Sequence, residues 1–170
     1  PSNDYPTTFT EIMERIGDLD HAGELAGVRF SGDCDVTREL EEHAVGDAAV
    51  LKTWETLMTF DAYARMRDRG EYDRSFSEYA RDGRHGGWLR LPRIVWSEGQ
   101  VVRTGKMSDL RRFPVDHRVD PSGWATMVAH VRIGQANGIA PRLYFLDTYQ
   151  DVGYVTVGYI GRHLDNVNTN

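Results

Sequence analysis

Hydrophobic residues recur at helical spacing through the first half of the chain. Thr8-Phe9-Thr10-Glu11 has the pattern of a capping box, and Ile12, Met13 and Ile16 continue the apolar face that begins at Phe9. A second helix is predicted over 37–45. A second capping box, Ser75-Phe76-Ser77-Glu78, opens a short helix that ends near Gly83.

The longest periodic stretch covers 47–68. Its main stripe contains Leu51, Trp54, Met58, Ala62 and Arg65, and further apolar residues on both flanks widen it. We expect a central helix that packs on more than one side.

The second half alternates between apolar and polar positions, which is typical of strands. Strands are predicted over 88–96, 100–105, 110–115, 125–133, 142–148 and 153–160, with hairpin loops at 97–99 and 149–151. The clearest alternation is that of 125–133, where Ala125, Met127 and Val131 face one way and His130 and Arg132 face the other.

This order of elements predicts an α+β fold. N-terminal helices would pack on one face of a C-terminal antiparallel sheet of about five to six strands, and the other face would be open to water. The length suits one domain over 1–170, with an acidic helical lobe at 1–85 and a mildly basic β lobe at 86–170.

Charge sharpens this division. The chain has 170 residues and a net charge of −6, but residues 1–85 carry 19 acidic and 10 basic residues, whereas 86–170 carry 7 acidic and 10 basic residues. The negative total charge therefore does not argue against a phosphate ligand on the second half of the chain.

The single cysteine, Cys34, excludes an internal disulfide. No apolar run approaches 18 residues, so we expect a cytoplasmic protein without a membrane partner.

Candidate chemistry concentrates on the polar face of the predicted sheet. Histidine and arginine side chains occupy polar strand positions at His130, Arg132, Arg142 and Arg103, and Arg162 and His163 follow directly after the last strand. Two imidazoles can act as general base and general acid on RNA, with arginines neutralising the phosphate and no metal needed. We therefore expect His130 and His163 to be the catalytic pair and the arginines to bind the ligand. The alternative is that these residues are polar only because this face of the strands contacts water.

A second basic patch lies before a predicted turn at 120–123. Arg111 and Arg112 precede Phe113, and Arg118 follows a few residues later. Arginines around an aromatic ring suit contact with a nucleic-acid backbone and stacking on bases, or contact with an acidic partner. A solvated loop is the alternative.

The acidic segment 33–43 offers oxygen and nitrogen atoms at Asp33, Asp35, Glu41, Glu42 and His43. It lacks the spacing of a calcium loop and of a zinc-protease helix, so an acidic helix surface is the simpler interpretation and no metal or cofactor is predicted. Such a surface suits a basic protein partner. A non-catalytic interaction module that docks this partner through the helical lobe is therefore the alternative to an RNA- or phosphate-directed protein.

The order of helices followed by antiparallel strands resembles the broad plan of the barnase-type and RelE-type ribonuclease toxins. The resemblance is one of topology over the last two-thirds of the chain, and no catalytic residue is transferred from it. It implies a toxin-like ribonuclease, a hydrolase, as one candidate activity. Whether the protein is an enzyme stays open at this point, and nothing in the sequence specifies an oligomeric state.

Overall fold

The computed structural model describes residues 4–43, 45–82, 94–97, 108–135 and 138–164. Helices within these ranges are α1 (Phe9–Arg15), α2 (Cys34–Arg38), α3 (Asp47–Asp68), α4 (Phe76–Asp82) and α5 (Tyr149–Val152), and a 3-10 helix over Glu39–Glu42 continues α2. The strands are β1 (Val28–Phe30), β2 (Ile94–Val95), β3 (Arg112–Pro114), β4 (Trp124–Thr126), β5 (His130–Arg132), β6 (Arg142–Leu146) and β7 (Val155–Gly161). The predicted α+β class is confirmed.

Both predicted capping boxes mark real helix starts. The Thr8 hydroxyl accepts a hydrogen bond from the Glu11 N–H at 3.0 Å, and the Ser75 hydroxyl accepts one from the Glu78 N–H at 3.3 Å. The second helix begins earlier than predicted, at Cys34, because the Asp33 carboxylate caps it by accepting from the Asp35 N–H at 2.9 Å.

The central helix α3 has the predicted bounds, but the buried stripe is rotated by about one residue. Leu51, expected in the stripe, is 43% exposed, whereas Val50, Trp54, Leu57 and Phe60 are buried. The flanking apolar residues therefore face the core, and the spacing of the stripe is still helical.

Five strands form one mixed sheet in the order β1-β7-β6-β5-β2. β1 runs parallel to β7, and the other neighbours are antiparallel, so the expected purely antiparallel sheet is corrected to a mixed one. The main hydrophobic core lies between the helices and the sheet face that carries Val28, Val131, Leu143 and Val157.

The parallel strand β1 comes from the half that was predicted to be helical. It has three residues, too few for a visible alternation, and it enters the sheet directly after Gly27. A side chain at Gly27 would lie 2.6 Å from the Ala64 Cβ, and the Gly27 N–H donates to the Asp61 carboxylate at 2.8 Å. Glycine is thus required where β1 passes α3 closely.

The predicted strand over 125–133 is two strands in two sheets. β4 pairs with β3 in a two-stranded sheet, and β5 pairs with β6 in the main sheet. Between them the Met127 N–H donates to the Arg111 carbonyl, and the Ala129 carbonyl accepts from the Phe145 N–H. Alternation continues through this crossing, so periodicity alone does not reveal it.

The two-stranded sheet covers the face of the main sheet that was expected to be open to water. Phe113, Val115, Met127 and Tyr144 form a second buried cluster there, so the expectation of an open face is wrong. The sheets approach closely because Gly158 has no side chain: a Cβ there would lie 2.6 Å from the Phe113 Cβ and 2.7 Å from the Met127 sulfur. The predicted strand over 100–105 and most of that over 88–96 lie outside the described residues.

Candidate functional site

Pairing of β5 with β6 brings four of the polar-face residues into direct opposition. His130 lies opposite Tyr144, and Arg132 lies opposite Arg142. Residues two apart on a strand share a face, so all four side chains project from the same side of the sheet. The alternation in the sequence indicated this arrangement, and the two strands are neighbours.

Arg132 and Arg142, the arginine pair, form the most unusual feature of this face. Arg132 is exposed, whereas Arg142 is only 7% exposed. The Arg142 Nη1 donates to the carbonyls of Ala140 at 3.1 Å and Pro141 at 3.2 Å. Within the described ranges neither arginine forms an ion pair with a carboxylate.

This setting disfavours the charge on Arg142. Burial, together with the positive charge of Arg132, lowers the pKa of the Arg142 guanidinium, although it remains cationic at neutral pH. Like charges directly opposite each other on neighbouring strands also weaken the pairing of those strands. The arginine pair is therefore a place where a bound anion would stabilise the protein.

Tyr144 is the centre of the same face. It is 1% exposed, its ring lies 4.7 Å from the His130 ring, and the Arg111 guanidinium carbon lies 5.8 Å from its ring centroid. Arg111 is itself 1% exposed. Sequence reasoning expected Arg111 in a basic surface patch, whereas its side chain packs inside the interface between the two sheets.

His130 is held in one orientation. It is 7% exposed, and its Nδ1 donates to the Val128 carbonyl at 2.9 Å. Because a carbonyl only accepts, this bond keeps a proton on Nδ1.

His163 and Arg162 follow the end of β7 and are exposed. Gly161, the last residue of β7, lies opposite Arg142, so both residues come directly after the strand position beside the arginine pair. His130 and β7 lie on opposite sides of β6, which separates their backbones by about 10 Å. The two histidines thus come from opposite sides of Arg142. Arg103 lies outside the described residues.

The hairpin of β3 and β4 carries a second polar surface. Arg112 is exposed on its outer side, but Phe113, expected to stack on a base, is 8% exposed and packs into the second cluster. The exposed aromatic residue is Trp124, at 47%, which lies opposite Pro114 and diagonal to Arg112. Sequence reasoning missed Trp124, because its exposure depends on the crossing between the two sheets.

Several acidic residues of the helical lobe have internal partners. Asp33 caps α2, Glu41 accepts a hydrogen bond from the Phe9 N–H, and Glu24 pairs with Arg15 at 2.7 Å. Asp35 remains 88% exposed despite a long contact with Arg38. Docking of a basic partner on this lobe stays a prediction.

In comparisons with known proteins, no family model, no curated protein and no solved structure matches this chain. Within the described ranges, none of the helices combines the length and apolar character needed to cross a membrane.

Proposed function

We propose that the protein binds RNA through its phosphate groups and that the arginine pair is the principal phosphate contact. The observation that carries the proposal is the buried Arg142 guanidinium, which lies opposite Arg132 with no carboxylate partner in the described part of the chain. A cytoplasmic location, where RNA is present, is part of the proposal.

The physical argument rests on the cost of this arrangement. A buried charge without a counter-ion destabilises a fold, and folds keep such groups where a ligand compensates for them. Phosphate oxygens match the planar donor fork of arginine, and a phosphate between two guanidiniums relieves their mutual repulsion. Exposed Arg162 and His163 beside the end of β7 add donors for a neighbouring phosphate.

Direct binding measurements test the proposal. Fluorescence anisotropy with a short labelled single-stranded RNA at low salt should give saturable binding, and Arg132→Gln and Arg142→Gln should each weaken it at least tenfold. Arg69→Gln is the matched control, since Arg69 is an exposed arginine at the end of α3 that pairs with Glu71. Equal affinity of all three variants and the unmodified chain would contradict the proposal.

A second candidate function is metal-independent cleavage of the bound RNA. It is favoured by the position of His130, which lies on the same face as the arginine pair and is oriented there by its hydrogen bond to the Val128 carbonyl. In this scheme His130 and His163 exchange protons with the 2′-hydroxyl and the leaving oxygen, and Arg142 neutralises the phosphate.

Cleavage assays separate this candidate from simple binding. RNA should be cut equally well with and without a chelator, and His130→Gln and His163→Gln should each reduce the rate at least a hundredfold. Cleavage that persists in both variants would remove the two histidines from the chemistry. RNA that is bound but left intact by the unmodified chain would limit the function to binding.

A further inference from the structure

A cavity of about 300 Å³ lies at the end of β6 opposite to the arginine pair. Its lining includes Phe76 at the start of α4, Phe145 and Asp147 at the end of β6, Trp96 after β2, and Thr126 on β4. Leu146 lies four positions after Arg142 along β6, which corresponds to about 13 Å. The cavity is thus a separate place on the molecule, and its volume is at the small end of the range for ligand sites.

An aromatic cluster lies beside the cavity, in which Phe76 and Phe145 are buried and Trp96 is partly exposed. Phe145 meets Phe76 at a centroid distance of 5.6 Å and Trp96 at 6.1 Å, in both cases nearly perpendicular. Phe76 and Trp96 are themselves 6.1 Å apart. The partly exposed Trp96 ring, held in place by the two buried phenylalanines, is therefore the aromatic surface that a flat ring can contact.

One carboxylate is held against this apolar wall. Asp147 Oδ2 accepts from the Phe76 N–H at 2.8 Å and from the Tyr63 hydroxyl at 2.9 Å, and Oδ1 accepts from the Tyr149 N–H at 3.2 Å. A carboxylate has about four acceptor positions, so Oδ1 keeps one for a further donor. These three bonds fix the carboxylate between α4, α5 and α3.

Two hydroxyl groups add polar capacity to the lining. Ser77 and Thr126 both line the cavity, and neither side chain forms a hydrogen bond to another residue in the described part of the chain. A mostly apolar cavity with a few polar groups that have spare hydrogen-bonding capacity is the usual design of a small-molecule site.

We propose that this cavity binds a single planar heterocycle that donates an N–H to Asp147, which is the chemistry of a purine or pyrimidine base. The carboxylate selects for the N–H donor, the Trp96 ring selects for the flat ring, and the hydroxyls of Ser77 and Thr126 pair with groups on the ring edge. The site does not depend on the arginine pair or on a phosphate.

Titration with nucleosides, which carry no phosphate, tests this site apart from RNA binding. Calorimetry or NMR should show saturable binding of at least one of guanosine, adenosine, cytidine and uridine. Caffeine, a flat purine without an N–H donor, should bind at least tenfold more weakly. Failure of all four nucleosides to bind, or equal binding of caffeine, would overturn the proposal.

Two variants locate the binding. Ala129→Leu fills the cavity, and Thr126→Ile removes a hydroxyl and adds bulk at an exposed β4 position where a β-branched residue is retained, so the fold is preserved. Thr126→Ile should weaken the nucleoside at least fivefold, and Ala129→Leu should weaken it at least tenfold if that variant folds. Arg142→Gln is the control and should bind the nucleoside normally. Unchanged affinity in Thr126→Ile, or loss of affinity in Arg142→Gln, would overturn the proposal, whatever the RNA measurements show.

Discussion

Arg132 and Arg142 lie directly opposite each other on antiparallel strands, with Arg142 buried and no carboxylate paired to either of them in the described ranges. Opposed side chains at such positions have Cβ atoms about 5 Å apart. The arrangement is unfavourable for folding and favourable for binding an anion.

Replacing the buried Arg142 guanidinium should stabilise the fold and remove the proposed phosphate contact. Arg142→Met removes the buried charge and keeps the volume of the stem, so the free energy of unfolding should rise by about 1 kcal/mol. Urea denaturation measures this. Arg132→Met, at an exposed position, should stay within about 0.5 kcal/mol of the unmodified chain. A loss of stability in Arg142→Met would show that the hydrogen bonds to Ala140 and Pro141 outweigh the cost of the charge.

The close approach of the two sheets should depend on Gly158. Gly158→Ala puts a Cβ within 2.7 Å of Phe113 and Met127, so we expect a loss of about 2 kcal/mol or more in unfolding free energy. Gly70→Ala is the comparison: its φ is +71° and the space around it is open, so it reports backbone strain alone, about 1 kcal/mol. A smaller loss at Gly158 than at Gly70 would contradict the packing described for the second cluster.

The loop after β3 should contribute to stability in a pH-dependent way. Hydrogen bonds from Arg118 lower the pKa of the Asp116 carboxyl to about 2, from an ordinary value of 3.8. Because the folded pKa is the lower one, the contribution is fully present above the unfolded pKa and is lost as the pH falls from about 4 to about 2.

Titration of the Asp116 carboxyl by NMR checks this prediction. Arg118→Gln should return the pKa of that carboxyl towards its ordinary value, because the side-chain hydrogen bonds and the positive charge are removed together. An unchanged pKa in Arg118→Gln would assign the shift to another cause.

Much of the fold could be predicted because local signals decide it. The capping boxes at Thr8 and Ser75, and the alternation from Arg142 to Leu146, are recorded in adjacent residues. The parallel strand β1 could not be predicted in this way, since three residues carry no period and their partner is β7, more than 120 positions later. The crossing from β4 to β5 was missed because it leaves the alternation intact.

Local signals also predicted part of the candidate site. Period-two alternation placed His130, Arg132 and Arg142 on one face, and pairing of β5 with β6 confirms that placement. Burial of Tyr144 and Arg111 depends on the second sheet, which covers this part of the face through contacts between residues distant in sequence. Alternation along one strand does not show which residues a second sheet buries. It also does not show that Arg142 is buried without a carboxylate partner in the described part of the chain, which only the three-dimensional structure reveals.

The salt dependence of RNA affinity tests the central claim most directly. Each phosphate contact contributes about 0.7 to the slope of log affinity against log salt concentration for a single strand. Because the arginine pair holds one phosphate between its two guanidiniums, the double variant Arg132→Gln/Arg142→Gln should lose about 0.7 from this slope. Arg38→Gln/Arg69→Gln has the same net charge but changes exposed positions in the helical lobe, so it should keep the slope of the unmodified chain. An unchanged slope in the first double variant, or an equal loss in the second, would contradict the assignment of the phosphate site to the arginine pair.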